Sequence, residues 1–212
     1  MSRPPPDFDD LPRRMREGDR AALADCFAHC RDRLWRVADF RLDPRLRRRV
    51  DTDDVLQHTY LDADRRLEHF KGETQTEVFV WLRLVLIQTL TDLYRAHLGA
   101  EMRDAGREVP LDALAPADGI SVSLARHLIA EITSPSGVAV RAETEEDLRR
   151  VIAEMDPIDR EIIALRHFEE LGNSETAEVL GIQPKAASIR YVRALARLKT
   201  ILTSAADNGN EG

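Results

Sequence analysis

The stretch AEVLGIQPKAASIRYVRALARL, residues 177–198, has the pattern of two helices that meet at a tight turn. Ala177 and Gly181 stand four residues apart. A small side chain is needed where two helices cross, and a glycine suits a turn in which the backbone takes positive φ. Asn173 or Ser174 is placed to cap the first of these helices. The pattern therefore predicts a helix-turn-helix.

The same stretch lies in a segment without negative charge. Residues 181–206 contain five basic residues and no acidic one, whereas residues 143–178 contain twelve acidic and four basic residues. A carboxylate between two rows of phosphates would be repelled, while each Lys or Arg contributes there by releasing counterions. We therefore expect the second helix to enter a DNA major groove, with the acidic residues facing elsewhere. A plain solvated surface helix is the alternative interpretation.

Two sides can be distinguished on this second helix, which is predicted to start near Pro184. The side predicted to be buried carries Ala187, Tyr191, Leu195 and Leu198. The side predicted to be exposed carries Lys185, Ser188, Arg190, Arg193, Arg197 and Lys199.

The composition of the whole chain indicates an all-α protein. Its 212 residues are 43% apolar, 33% charged and only 5% aromatic, and strictly alternating apolar and polar runs are hard to find. Helical spacing predicts a first domain over residues 10–99, a bundle of four or five helices. A looser stretch, residues 100–141, predicts a flexible linker with one short helix at 122–131, and the second domain covers residues 142–203.

Localisation and metal binding are addressed by simpler features. No apolar run approaches the roughly 20 residues needed to cross a bilayer, and the first residues lack the apolar core of a signal peptide, so we expect a cytoplasmic protein. Cys26 and Cys30 lie four residues apart on one face of a predicted helix. Their spacing is not that of a zinc site, which favours two buried, reduced thiols over a metal centre.

Two segments resemble a known family when taken together. Residues 51–95, DTDDVLQHTYLDADRRLEHFKGETQTEVFVWLRLVLIQTLTDLYR, resemble region 2 of extracytoplasmic-function (ECF) sigma factors of the sigma-70 family. Residues 155–199, MDPIDREIIALRHFEELGNSETAEVLGIQPKAASIRYVRALARLK, resemble their region 4. The resemblance implies two small helical domains, a region 2 bundle and a region 4 helix-turn-helix. TSPSG at 133–137 and SIRYVRAL at 188–195 look most like the planctomycete-type subgroup.

This resemblance implies a protein that is not itself an enzyme, that binds core RNA polymerase and that directs it to promoter DNA. The positions matching the polymerase-binding helix of the family are Asp53, Asp54, Gln57 and Leu61. Those matching the reader of the −10 element are Lys71, Thr74, Gln75, Arg83, Gln88 and Arg95. Those matching the reader of the −35 element are Gln183, Lys185, Ser188, Arg190 and Arg193.

Some of these positions have a second interpretation. Asp53 and Asp54 could serve only to cap the helix that follows them, and Trp81 is expected to be a core residue rather than a stacking platform. A basic patch could meet phosphate or simply solvate a helix end. It consists of Arg41, Arg45, Arg47, Arg48 and Arg49.

Other functions and partners are possible for such a chain. A stand-alone helix-turn-helix transcriptional regulator would use its first domain for dimerisation or sensing and would need no polymerase. An enzyme is disfavoured because no pair of nucleophile and base and no phosphate-binding glycine loop is evident, and only His58 stands at ligand spacing from the aspartates of residues 51–64. We expect no cofactor, no small-molecule substrate and no membrane partner, and an anti-sigma protein is a further candidate partner.

Overall fold

The computed structural model describes residues 8–104, 117–132 and 148–208, and within these ranges it contains helices and turns but no strand. The predicted all-α class is confirmed. The chain divides into two compact units, Met1–Glu108 and Val109–Gly212.

The first unit is built from four helices. They are α1 (Leu11–Arg16), α2 (Arg20–Arg41), α3 (Thr52–Arg66) and α4 (Gln75–Asp104). Two short 3-10 turns, Leu46–Arg48 and Leu67–His69, precede and follow α3.

Aspartates start two of these helices. The Asp19 carboxylate accepts hydrogen bonds from the backbone N–H groups of Ala21 and Ala22, at the beginning of α2. At the beginning of α3, Asp51 accepts from the N–H of Asp54 at 2.7 Å, and Asp54 accepts in return from the N–H of Asp51 at 3.3 Å. This reciprocal capping box satisfies N–H groups that have no partner within the helix.

The core of the first unit lies where α2, α3 and α4 meet. Leu34, Val55 and Leu82 are fully buried there. The Arg33 guanidinium lies 3.6 Å from the centre of the Phe79 ring and makes a cation–π contact with it. Since α4 is apolar on most sides, it packs on both α2 and α3.

Both cysteines of the chain are part of this core. Cys26 and Cys30 are buried free thiols, as the sequence predicted. Burial raises the pKa of Cys26 to about 12. Across the part of the chain that the structure describes, no three His, Cys, Asp or Glu residues are grouped so that they could hold a metal ion.

The second unit contains five helices in its described part. They are α5 (Ala117–Ile132), α6 (described over 148–153), α7 (Pro157–Ile163), α8 (Asn173–Leu180) and α9 (Pro184–Asn208). A wider π turn, Ala164–Phe168, extends α7.

Helix α5 lies inside the range for which the sequence predicts a linker. It is longer than the predicted helix at 122–131, and its Leu124 and Ala125 are fully buried. The His127 ring lies 5.4 Å from that of Phe168, so α5 packs against the extension of α7. The partition into domains at 10–99 and 142–203 with a linker between them stays a prediction.

The turn between α8 and α9 centres on Gly181, which has φ of +63°. The N–H of Ile182 donates to the carbonyl oxygen of Ala177 at 3.0 Å, which closes the end of α8. Ala177 and Ala187 are almost fully buried and face the crossing of the two helices. The helix-turn-helix therefore forms as predicted, with the small residues at the crossing of its two helices.

The start of α8 differs from the prediction. Gly172 occupies the capping position, and its N–H donates to the Glu175 carboxylate at 2.8 Å. Asn173 lies within the helix, and its side-chain amide donates instead to the carbonyl oxygen of Pro184 at 2.9 Å. This bond ties the beginning of α8 to the beginning of α9, so the expected cap at Asn173 or Ser174 was wrong.

Replacement of Gly181 tests this turn. We expect Gly181→Ala to destabilise the second unit by about 1 kcal/mol, because a residue with a Cβ must adopt the left-handed region. Gly181→Asn should cost less, since Asn tolerates that region better. No atom lies within 4 Å of a Cβ built at this position, so only backbone strain is tested.

The chain provides its own control for this measurement. Its two tryptophans, Trp35 and Trp81, both lie in the first unit. In urea denaturation, circular dichroism at 222 nm should report the loss, while tryptophan fluorescence should give an unchanged midpoint. Equal losses for the Ala and Asn variants would contradict the explanation.

Candidate nucleic-acid and partner interfaces

Helix α9 is buried along one side and exposed along the other. Ala187, Ala194 and Leu198 are buried, while Tyr191 and Leu195 are half-buried. The exposed side chains on and just before α9 include Gln183, Lys185, Ser188 and Arg193, and also Ile189, Val192, Arg197 and Lys199. The buried stripe fixes α9 against α7 and α8, so the exposed stripe is presented outward.

Arg190 is held differently from the other basic residues of α9. Its Nε donates to Asp159 Oδ1 at 2.8 Å and its Nη2 donates to Asp156 Oδ1 at 3.0 Å. The hydrogen bond to Asp159, with the charges of both acids, raises the pKa of the Arg190 guanidinium. Arg197 Nη1 also donates to Asp159, at 3.4 Å. The expectation that the acidic residues face away from α9 is therefore wrong for these two aspartates.

The basic residues of α9 therefore differ in whether an acidic residue pairs with them. Asp156 also caps α7 by accepting from the N–H of Ile158, so Arg190 fastens α9 to a helix start. Among the described residues, no ion pair engages Lys185 or Arg193. Their positive charge is therefore available to an external anion, while that of Arg190 is largely compensated within the unit.

The loop between α3 and α4 is shaped by one glycine. A Cβ on Gly72 would lie 2.6 Å from the Phe70 ring and 2.9 Å from the Cβ of Glu77, which no larger residue could accommodate without a shift. The Phe70 ring is buried and lies 5.0 Å from that of Trp81. Lys71, next to this glycine, is exposed.

Glu77 holds the other end of the same loop. Its carboxylate accepts from the N–H groups of Glu73 and Thr74, at 2.6 and 2.9 Å, and these bonds lower the pKa of Glu77. The Thr74 hydroxyl is 3.1 Å from the same carboxylate and 3.2 Å from the N–H of Glu77. The loop thus has a defined shape before any ligand arrives.

The other residues predicted for the −10 element are not brought onto one open surface. Arg83 is buried, with 6% of its surface exposed. Gln88 is half-buried and accepts from the Arg66 guanidinium, and the Gln75 amide donates to the Phe8 carbonyl oxygen. Arg95 is exposed and lies 3.8 Å from Asp92.

Three of the residues predicted to bind polymerase line a groove between α2 and α3. The groove has a volume of about 560 Å³ and is lined by Phe27, Arg31, Asp53, Leu56, Gln57, Tyr60 and Leu61. Leu61 is 51% exposed and lies at this groove. Asp53 pairs with Arg31 at 2.5 Å, and Phe27 packs edge-on against Tyr60. Asp54 lies outside the groove and serves the capping box of α3.

The basic patch before α3 is partly used within the first unit. Arg45 pairs with Asp43 and donates to the Tyr94 hydroxyl at 2.8 Å. Arg47 pairs with Asp39 at 2.8 Å, and Arg49 donates to the carbonyl oxygen of His97 at 2.9 Å. These contacts tie the segment to α2 and α4.

Comparison with known proteins identifies the family. A model described as Sigma-70, region 4 matches residues 145–198. The ECF RNA polymerase sigma-E factor of Haemophilus influenzae is 24% identical over 146 residues, 69% of this chain and 71% of that protein. The RNA polymerase sigma-E factor of Streptomyces avermitilis is 30% identical over 155 residues, 73% of each chain. This chain belongs to the ECF family of RNA polymerase sigma factors.

The fold of this sigma factor also has a solved counterpart. It matches the structure of CnrH, solved in complex with the cytosolic domain of CnrY, with a TM-score of 0.51 at 22% identity. The match covers 93% of this chain and 97% of the other. Within the described residues of this sigma factor, none of the helices combines the length and apolar character needed to cross a bilayer.

The sequence did not predict every residue at these surfaces. Ile189 and Val192 lie beside the predicted −35 readers of this sigma factor, and their helical spacing from Lys185 and Ser188 could have revealed them. Phe27 and Arg31 lie on α2, and no local sequence pattern predicted that α2 forms one wall of the groove with α3.

The clamp between Arg190 and Asp159 can be measured by a double-mutant cycle. Arg190 is about one-third exposed and Asp159 is mostly buried, so we expect a coupling energy of roughly 0.5–1 kcal/mol between Arg190→Ala and Asp159→Ala. The readout is urea denaturation of the second unit by circular dichroism. Arg193→Ala is the matched control and should change stability by less than about 0.5 kcal/mol. Additive effects of the two clamp variants would refute the clamp.

Proposed function

We propose that this sigma factor binds core RNA polymerase and directs promoter-specific transcription initiation, reading the −10 element with its first unit and the −35 element with its second. The observation that carries the proposal is the exposed face of α9. On this face Lys185 and Arg193 present positive charge that no described carboxylate pairs with, on the second helix of a helix-turn-helix, in a chain that belongs to the ECF family.

Contact with the −35 element is assigned to the exposed side chains of α9. A major groove admits one α-helix, and its two rows of phosphates favour a helix whose edges are basic. Lys185 and Arg193 supply that charge, and Gln183 and Ser188 supply groups that hydrogen-bond to base edges. Because Arg190 is hydrogen-bonded to Asp156 and Asp159, its role is to hold α9 in place. It could reach a phosphate only after those hydrogen bonds break.

Polymerase binding is assigned to the groove between α2 and α3. An exposed leucine beside two packed aromatic rings offers apolar area to a partner helix, while Asp53 and Gln57 at the rim offer charge and hydrogen bonds. Asp54 contributes through the α3 cap that holds this surface in shape. Leu61 is the group whose burial would contribute most to binding.

Contact with the −10 element is assigned to the loop before α4 and to α4 itself. A preformed loop captures an unstacked strand at a lower entropic cost than a mobile one, and the exposed Lys71 supplies charge for its backbone. The proposed surface is completed by Thr74, Gln75, Arg83, Gln88 and Arg95. Arg83 and Gln88 would need to change side-chain conformation before they could reach DNA.

The remaining features of the proposal rest on expectations from the sequence. The protein would act in the cytoplasm with polymerase and promoter DNA, without cofactor, small-molecule substrate or catalysis of its own. Its domains would be those predicted, 10–99 and 142–203, and its subgroup the planctomycete type. CnrH, whose fold it shares, was solved in complex with the cytosolic domain of another protein, which supports a search for an anti-sigma partner.

Run-off transcription tests the proposal against a stand-alone regulator. Purified full-length protein and core polymerase are incubated with a library of randomised promoter templates. A sigma factor yields transcripts starting at a defined distance from an enriched pair of elements, and core polymerase alone does not. Retardation of a DNA fragment by the protein alone, with no polymerase-dependent transcript, would favour the regulator and refute the proposal.

The groove itself generates a second prediction. We expect Leu61→Glu to weaken core polymerase binding by about tenfold, because it places a charge where apolar area should be buried. His58→Ala is the matched control, since His58 is exposed on α3 but does not line the groove. Affinity is measured with labelled protein, and circular dichroism confirms that both variants remain folded. Equal affinity of Leu61→Glu and the control would exclude the groove as the binding surface.

A further inference from the structure

Helix α9 exposes two large apolar side chains in the middle of its basic face. Ile189 is 46% exposed and Val192 is 64% exposed. Single apolar residues on a surface are common and need no explanation, but these two are three positions apart and therefore neighbours on one side of the helix. The exposed Ala196 follows them on the same side of the helix. Ile189, Val192 and Ala196 together are named here the apolar strip.

The surroundings of the apolar strip indicate what can cover it. Lys185 lies one turn before Ile189, Arg193 follows Val192, and no acidic residue occurs between 179 and 206. These charges favour a partner that offers negative groups close to apolar ones. The DNA major groove meets both requirements, because phosphates line its edges and the C5-methyl groups of thymine project from its floor.

Distances along the helix fit successive base pairs. Each residue advances an α-helix by about 1.5 Å, so Ile189 and Val192 are separated by about 4.5 Å along the axis. The spacing of base pairs is about 3.4 Å, and thus the two side chains can meet methyl groups on neighbouring pairs. Both residues are β-branched and stiff at χ1, so little conformational entropy is lost when a methyl group packs against them.

We propose that Ile189 and Val192 are specificity-determining residues that read thymine C5-methyl groups at two neighbouring base pairs of the −35 element. This inference rests on the proposed function, since it assumes that α9 lies in the groove of that element. It assigns base discrimination to apolar contact, in addition to the polar side chains that the sequence predicted.

Replacement of thymine by deoxyuridine provides the test, because deoxyuridine lacks only the C5-methyl group. Holoenzyme is assembled from core polymerase and the full-length protein, and its −35 element is first obtained by selection from the randomised library. Each thymine of that element is then replaced in turn, and holoenzyme affinity is measured by competition. Loss of one buried methyl group should weaken binding about three- to fivefold at one or two positions.

Protein variants show whether the methyl groups are read by these residues. With Val192→Ala or Ile189→Ala, affinity for the thymine template should fall, and the thymine-to-deoxyuridine ratio should approach one at the position that residue reads. Ile158→Ala is the matched control, an exposed apolar residue of α7 that is 41% exposed, and should keep the full ratio. This coupling between one side chain and one methyl group supports the inference, and a merely structural role would not produce it.

Three results would overturn the inference while leaving the proposed function intact. In the first, the holoenzyme initiates specifically, but Val192→Ala and Ile189→Ala keep the wild-type ratio at every position. In the second, the selected −35 element contains no thymine. In the third, the variants abolish self-association or capture of another protein and leave DNA affinity unchanged. Absence of any promoter-specific transcript would instead refute the proposed function, and with it the inference.

Discussion

The orientation of helix α9 is set by the contacts along its buried side. Buried small residues at its crossing with α8 bring the two helices close, the left-handed Gly181 turns the chain, and the guanidinium of Arg190 binds two aspartates at the start of α7. These contacts all lie on one side of α9. The other side is consequently fixed in position while its own side chains stay open to solvent, and a helix can read a groove only when its orientation is set in advance.

In the first unit, too, local contacts fix the shape of surfaces that stay exposed. Gly72 fits closely against Phe70, and Glu77 gathers two backbone N–H groups, so a short loop keeps its shape without being buried. The capping box of Asp51 and Asp54 fixes the start of α3, from which Asp53, Gln57 and Leu61 project into the groove. Local hydrogen bonds therefore prepare both surfaces, and apolar or charged side chains are left exposed on them.

The sequence predicted the helices and the helix-turn-helix because its strongest signals are local. Helical spacing and the Ala177–Gly181 pair each act over one or two turns, and the helical domains and the helix-turn-helix were predicted from them. The pairing of Arg190 with Asp159 spans 31 residues, and Arg31 meets Asp53 across 22 residues. Such contacts depend on how helices cross, so the sequence predicted neither the pairing of Arg190 with acidic residues nor the α2 wall of the groove.

Site-specific photocrosslinking shows whether the exposed face of α9 contacts promoter DNA. Ser188, on the exposed side of α9, is replaced by a benzophenone amino acid in the full-length protein, which is assembled with core polymerase on promoter DNA and irradiated. The control places the same amino acid at Glu154, an exposed position beyond α6. The expected result is a crosslink from position 188 to bases of the upstream promoter element and none from position 154. If a holoenzyme that initiates specifically gave no crosslink to DNA from position 188, the exposed face of α9 would not be the reading surface.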